Sequence, residues 1–299
     1  DKLSKLESQL FRQLKTDDVN STKLPQTLIN RLLWHYHNGQ LEEAEKLARS
    51  ITQKFPEHQF AWKVLGAVFG ATGKKLEAVD ANQTAVALNS QDAEAHSNLG
   101  NTLQELGRLE EANASYSQAI VLNPNYAEAF WNLHSIQNTL KDGEYWIDKC
   151  LEVDENYIEA RLTKAALRFY QGDRSIFDEL MQSELKQHPY SRSFAWVFSL
   201  SNLPELHFEK WHFFDAIVKR SVISKPFYEF GVWRASSFKY LIKAFKKGYG
   251  FDTFTGLPED WDLGSHQEKK GVYTSDGNVP KIKGGEFIVG KFEDTLPIF

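Results

Sequence analysis

A chain of 299 residues, 41% hydrophobic and 25% charged, is long enough for two globular domains at roughly 150 residues per domain. Its formal charge of −5, from 40 acidic and 35 basic residues, gives no electrostatic footprint for nucleic acid or an anionic membrane, and neither partner is expected. Cys150 is the single cysteine, which excludes an internal disulfide framework or thiolate metal cluster and fits a reducing, cytoplasmic setting.

The first residues, Asp1-Lys2-Leu3-Ser4-Lys5-Leu6, open an amphipathic helix rather than a signal peptide, and an N-terminal helix is predicted over 1–24. No apolar run reaches the ~18 residues that a membrane-spanning helix needs. The sequence lacks an initiator Met, so a fragment of a longer protein is expected.

Three segments then fall into register: Leu33 to Pro56, Ala67 to Ser90 and Asn101 to Pro124, with a period of 34 residues. Gly39, Gly73 and Gly107 coincide at the turn between two helices, where a positive φ is tolerated. Ala44, Ala78 and Ala112 coincide where the second helix must approach the first, and Leu65, Leu99 and Leu133 recur on the buried stripe. Beyond Pro124 the next unit ends early, near Asp154, and a further helix pair is predicted from Tyr157 through Gly172 to Pro189. About five helix pairs therefore occupy 25–191. The aromatic-rich stretch 192–224, with Trp196, Trp211, Phe213 and Phe214, departs from the repeat and reads as capping or linker helices that dock the array onto the C-terminal segment.

The phrase from Ala95 to Asn101, continued by Leu109-Glu110-Glu111-Ala112 and closed by Asn123-Pro124, resembles the tetratricopeptide repeat (TPR) family. A repeat array of helix pairs offers a concave surface lined by the first helix of each pair. On it Asn98 and Asn132 are one repeat apart, and stacked asparagines could clamp an extended peptide or protein segment through bidentate amide bonds. The alternative is that both are solvated or packing residues, since position 64 is Val.

After Lys225-Pro226 the periodicity changes. Phe227 to Val232 reads as a strand breaking at a glycine, Ala235 to Phe245 as a helix, and Tyr249-Gly250-Phe251-Asp252 as a second strand. Such a βαβ unit with an acid at the tip of its second strand opens a nucleotide-type site in which the acid takes ribose hydroxyls. Glu229 and Asp252 are 23 residues apart, close to the expected interval of about 20. The first loop has one glycine, Gly231, which disfavours a pyrophosphate cradle. An acid at its start suits a ligand with a cationic amino-acid end and a ribose.

Here Tyr228 to Arg234, Gly250 to Trp261 and Gly290 to Pro297 together resemble macrocin-O-methyltransferase-type enzymes. The resemblance implies a class I, S-adenosylmethionine-dependent methyltransferase. Glu229, Gly231 and Ser237 would lie near the methionine end, Asp252 at the ribose, and Thr253 and Phe254 beside the adenosine. A third strand, Glu286 to Val289, would lead to Phe292 at the adenine rim, and Trp261 to Pro280 would be a mobile lid. The acceptor it implies is a hydroxyl of a sugar or sugar-bearing small molecule. Catalytic residues and the carboxylates for a divalent metal such as Mg2+ would lie downstream of Phe299, so 225–299 would be a partial, truncated domain, inactive alone. The bland alternatives are that Ser236 and Ser237 only cap a helix and that Phe254 is core.

Other candidates are poorer. His35 and His37 face different sides of a helix, and His207 and His212 are no better spaced for a metal, so none is expected. Lys239, Lys243, Lys246 and Lys247 complement a helix C-terminus. Cys150 packs as a small hydrophobe. The fold class predicted is therefore mainly α: a TPR-type helical solenoid followed by a partial Rossmann-like α/β methyltransferase domain. Two functions compete, an O-methyltransferase with a TPR interaction module and a TPR peptide-binding scaffold with a degenerate, non-catalytic methyltransferase segment. A glycan-processing transferase, suggested by the likeness of the asparagine-bearing repeats to those of O-linked N-acetylglucosamine transferases, is opposed by the motif after Pro226.

Overall fold

The computed structural model describes residues 24–262, 267–268, 270–271 and 273–299. The helix expected over 1–24 lies outside these residues except for Leu24, which is buried. The described chain is mainly helical and divides into two compact units between Leu122 and Asn123.

The first unit holds three antiparallel helix pairs: α1 (Gln26–His37) with α2 (Leu41–Lys54), α3 (Gln59–Ala71) with α4 (Lys75–Leu88), and α5 (Ala93–Glu105) with α6 (Leu109–Leu122). The turns are made as the spacing requires, with Gly39, Gly73 and Gly107 at φ of +68°, +71° and +75°. Ala44, Ala78 and Ala112 are fully buried, so each pair closes on a residue with no side chain beyond Cβ. A second small position recurs on the first helix. A Cβ on Gly66 would fall 2.2 Å from Asn82 Oδ1, and one on Gly100 would fall 2.5 Å from the Tyr116 ring. Leu65 is buried as expected, whereas Leu99 is only half-buried.

Asp92 stitches successive pairs together. Its carboxylate caps α5 by accepting from Ala95 N and also takes Gln59 Nε2 at 2.9 Å and Lys63 Nζ at 3.1 Å from α3. Burial opposes these contacts, but their sum holds its carboxyl below the usual range.

The second unit begins with α7 (Ala127–Ser135) and α8 (Leu140–Val153), followed by α9 (Ile158–Tyr170) and α10 (Ser175–Leu180). The predicted helix pair ending at Pro189 is corrected here. Its second helix, α10, is only six residues long, and Pro189 opens α11 (Pro189–Phe198) instead of closing a repeat. Proline suits the first helical position, where its missing N–H costs nothing. The space left by the short α10 is filled by α11, whose Phe198 stacks on Phe169 of α9 with ring centroids 3.7 Å apart.

The segment leading to α12 (Lys210–Arg220) packs back on the fourth pair. Phe208 lies so close to Gly143 that a Cβ there would meet its ring at 2.2 Å, and it sits edge-on to His134 at 5.3 Å. His134 is buried, donates from Nδ1 to the Trp131 carbonyl, and is driven down to about 4 by burial. Cys150 is fully buried with its thiol pushed up to about 12, again by burial, consistent with a packing role.

The remainder carries a small parallel sheet. Its first two strands are β1 (Phe227–Phe230) and β2 (Gly248–Asp252). Within the predicted lid, β3 (Trp261–Asp262) pairs antiparallel with β4 (Gln267–Glu268); residues 263–266, 269 and 272 lie outside the described residues. The third strand of the sheet is β5 (Gly285–Val289), giving the order β1-β2-β5, with Phe227 opposite Gly248 and Gly248 opposite Gly285. The helix between the first two strands, α13 (Ser236–Leu241), is shorter than predicted, because Ala235 sits in the left-handed region at φ 61° and the chain reaches Phe245 as turns. Side-chain alternation sends Phe227 toward Phe238 of α13 and sends Tyr228 and Phe230 to the other face, where they stack on Tyr249 and Phe251. After β5 come α14 (Phe292–Thr295) and a 3-10 turn over Leu296–Ile298. The Rossmann-like expectation thus corresponds to a three-stranded parallel sheet.

Candidate functional site

Two places carry the side chains that the sequence singled out. On the first unit, the first helices α1, α3 and α5 lie side by side. Asn98 of α5 is half-buried, and its backbone carbonyl accepts from Thr102 Oγ1 at 3.0 Å and Asn82 Nδ2 at 3.3 Å. Its side-chain amide makes no hydrogen bond to another described residue. Two repeats earlier the equivalent position is Asn30, exposed on α1, whose Oδ1 accepts from Gln26 Nε2 at 3.0 Å. The register alone could have shown Asn30, but a comparison confined to adjacent repeats meets Val64 and stops. Asn132, in the second unit, is half-buried on α7, and its carbonyl accepts from Ser135 Oγ at 2.7 Å.

The second place is the carboxyl end of the parallel strands, where α/β sheets bind ligands. Glu229 sits one residue short of the tip of β1, and Asp252 ends β2. Ser237, on the first turn of α13, donates its hydroxyl proton to Glu229 Oε1, while Oε2 is buried without a partner. Burial raises the Glu229 carboxyl above its usual range, the serine opposes this, and the charge of Asp252 adds to it. Asp252 is engaged on both oxygens, accepting from Trp233 N at 2.7 Å and Phe254 N at 2.6 Å. It therefore ties the loop after β1 to the loop after β2, and each oxygen retains a lone pair for a further donor.

Gly231 makes the turn out of β1 at φ +83° and donates its N–H to the Phe251 carbonyl at 2.9 Å. Thr253 donates to the Gly256 carbonyl at 3.0 Å and so shapes the second loop. Phe254 is fully buried among Val232, Ala235 and Phe238, which makes its ring core. Phe292 is exposed and meets the edge of Phe230, a residue on the sheet face opposite Glu229. The structure thus gathers Glu229, Gly231, Ser237 and Asp252, and sets Phe254 and Phe292 apart from them.

Trp233 is the residue that sequence reasoning passed over. It adopts φ 48°, donates its N–H to Asp252, and donates its indole Nε1–H to the Thr274 carbonyl at 2.9 Å. Arg234 lies 4.7 Å over its ring. Among the described residues no group of three or more His, Cys, Asp or Glu side chains could hold a metal ion, and no helix is long and apolar enough to cross a membrane.

Helix pairs with a glycine turn, a small second-helix residue and a recurring small position on the first helix define a tetratricopeptide-type repeat array. A TPR repeat family model matches residues 100–138. Among curated proteins, the human protein O-mannosyl-transferase TMTC1 is 33% identical over 104 residues, covering 33% of this chain and 12% of that protein. The Arabidopsis thaliana Hsp70-Hsp90 organizing protein 3 is 30% identical over 109 residues, covering 34% of this chain and 19% of that protein. The chain thus spans less than a fifth of either relative. A solved structure from a functional study of Pseudomonas aeruginosa pilF aligns with a TM-score of 0.50 at 23% identity, covering 58% of this chain and 83% of that one. That likeness shows the fold alone.

Proposed function

We propose that this chain is a TPR-type interaction scaffold whose array captures an extended peptide segment of a partner protein. One observation carries the reading: Asn98 presents an amide with no hydrogen bond to the other described residues, at the helical position that Asn30 occupies two repeats earlier on α1, with α3 between the two helices. An amide in that setting offers one donor and one acceptor to a peptide backbone unit, which an extended strand repeats regularly. The likeness to a relative named as an Hsp70-Hsp90 organizing protein supports an organising role. The test is selection of binders from a library of unstructured peptides displayed against the immobilised full chain. Peptides so selected are expected to lose about tenfold in affinity with Asn98→Ala; selection of none, or unchanged affinity in the variant, counts against the scaffold reading.

A second reading is favoured by a separate observation, the placement of Glu229 and Asp252 at the same end of adjacent parallel strands with one Glu229 oxygen unpartnered. It takes the segment after Pro226 as part of an S-adenosylmethionine-dependent O-methyltransferase acting on a small-molecule hydroxyl. The orphaned oxygen suits an ammonium group, and the lone pairs left on Asp252 suit hydroxyl donors. When bound, S-adenosylmethionine supplies an electrophilic methyl group. Glu229 would hold the cationic end and Asp252 the ribose hydroxyls, while a divalent metal such as Mg2+ would need carboxylates beyond this segment. Because burial raises the Glu229 carboxyl, binding of a cation there releases a proton and tightens as pH rises through the raised value. Calorimetric titration of S-adenosylhomocysteine into the full chain is expected to show heat that Asp252→Ala abolishes. Silence, or heat indifferent to that change, removes the reading.

A further inference from the structure

The two ends of the parallel sheet are chemically opposite. The carboxyl ends carry Glu229 and Asp252, whereas the segments entering the strands carry Lys225 before β1, Lys246 and Lys247 before β2, and Lys281 and Lys283 before β5. These segments are distant in sequence but laced together by the fold. Phe227 N donates to the Lys247 carbonyl at 3.2 Å, Gly248 N to the Gly284 carbonyl at 3.0 Å, and Gly285 N to the Ile282 carbonyl at 3.0 Å. A Cβ on Gly284 would meet the Lys246 carbonyl oxygen at 2.6 Å, so these two backbones are in contact.

All five lysines are exposed. Among the described residues only Lys247 has a carboxylate nearby, that of Glu286 at 3.9 Å. Helix-end compensation does not account for them. The helix α13 ends at Leu241, and Lys281 and Lys283 belong to no helix. Beside them, Lys225 N donates to the Val222 carbonyl at 2.9 Å, closing a turn that holds Val222 62% and Ile223 49% exposed.

From this combination we propose that the strand-entry end of the sheet is a docking surface for an anionic membrane, independent of the peptide and cofactor readings. Point-charge ammonium groups spread over three backbone segments match a diffuse layer of lipid phosphates and carboxylates. The two aliphatic side chains rising beside them gain by entering the headgroup layer. Against a nucleic acid or an acidic peptide that exposed aliphatic pair has no matching charge. The overall charge of −5 conceals this local asymmetry.

The test is co-sedimentation of the full chain with phosphatidylcholine vesicles that contain or lack phosphatidylserine, at low and at physiological salt. Binding is expected only with phosphatidylserine and should fall as salt rises. Each lysine is expected to contribute roughly fivefold, so K246E/K247E or K281E/K283E should weaken binding by more than about tenfold. V222S/I223S should weaken it several-fold, and K141E, on a surface remote in sequence, should not. Thermal melts of the variants check that these exposed changes leave folding intact. No binding of the wild-type chain to phosphatidylserine vesicles overturns the proposal, whatever the variants do. So does a preference for single-stranded RNA or polyglutamate that the aliphatic substitutions leave untouched.

Discussion

Gly100 and Gly231 illustrate two ways in which the halves of this molecule use the same residue. In the array, Gly100 makes room for Tyr116 just as Gly66 makes room for Asn82, and the two glycines, like their two partners, are one period apart. In the sheet segment, Gly231 turns the chain at φ +83° with open space around its missing Cβ, at a position outside the 34-residue register. Repetition makes the array's packing rules visible several times over. The sheet segment states each of its rules once, and its chemistry sits where those single statements meet.

If that contrast is right, damage should be large where a repeated packing rule is broken and graded where a unique polar contact is lost. Tyr116→Ala empties a fully buried aromatic site and is expected to cost about 3 to 5 kcal/mol, read as a drop in the denaturation midpoint of the helical signal. A loss under about 1 kcal/mol would show that the repeat tolerates a void there.

The buried His134 comes next. Its folded value of about 4 lies below the ordinary value of 6.5, so the unfolded state takes up the proton first and stability falls as the pH drops from about 6.5 toward 4. The full effect is roughly 3 kcal/mol and should vanish in a His134→Phe background, measured by urea denaturation across that range. Asp252→Ala strips the acceptor from two backbone N–H groups and is expected to cost about 2 kcal/mol in the same assay. Asn98→Ala is the smallest in stability, within about 0.5 kcal/mol, because its amide bonds no other described residue; its effect should appear in peptide affinity alone.

The array was legible because side-chain size recurs with the helix-pair period. Turn glycines and buried alanines at matching positions leave little freedom for the chain between them. The period lapsed after Pro124, and the end of the last helix pair was misplaced at Pro189, because a proline after a repeat and a proline opening a helix are the same letter. In the sheet segment the strands could be read from β-favouring residues, and Glu229 and Asp252 from their place at strand ends. What could not be read was how Asp252 spends its lone pairs, since that depends on Trp233 and Phe254 both adopting positive φ, which no residue type at those positions announces. Nor could Phe254 be told apart as core from a ring lining a site. The basic end of the sheet was hidden for a different reason. Its lysines come from three separate stretches and become neighbours only when Phe227, Gly248 and Gly285 fall into register.

The proposed function divides the two regions most sharply, since it has the array, and not the sheet segment, meet a partner protein. The direct measurement is side-chain amide NMR of the full chain titrated with a peptide selected on it. The Asn98 amide pair is predicted to shift and to slow in exchange while the backbone signals of Gly231 and Ser237 stay in place; movement at Gly231 and Ser237 with an unmoved Asn98 amide would contradict this division.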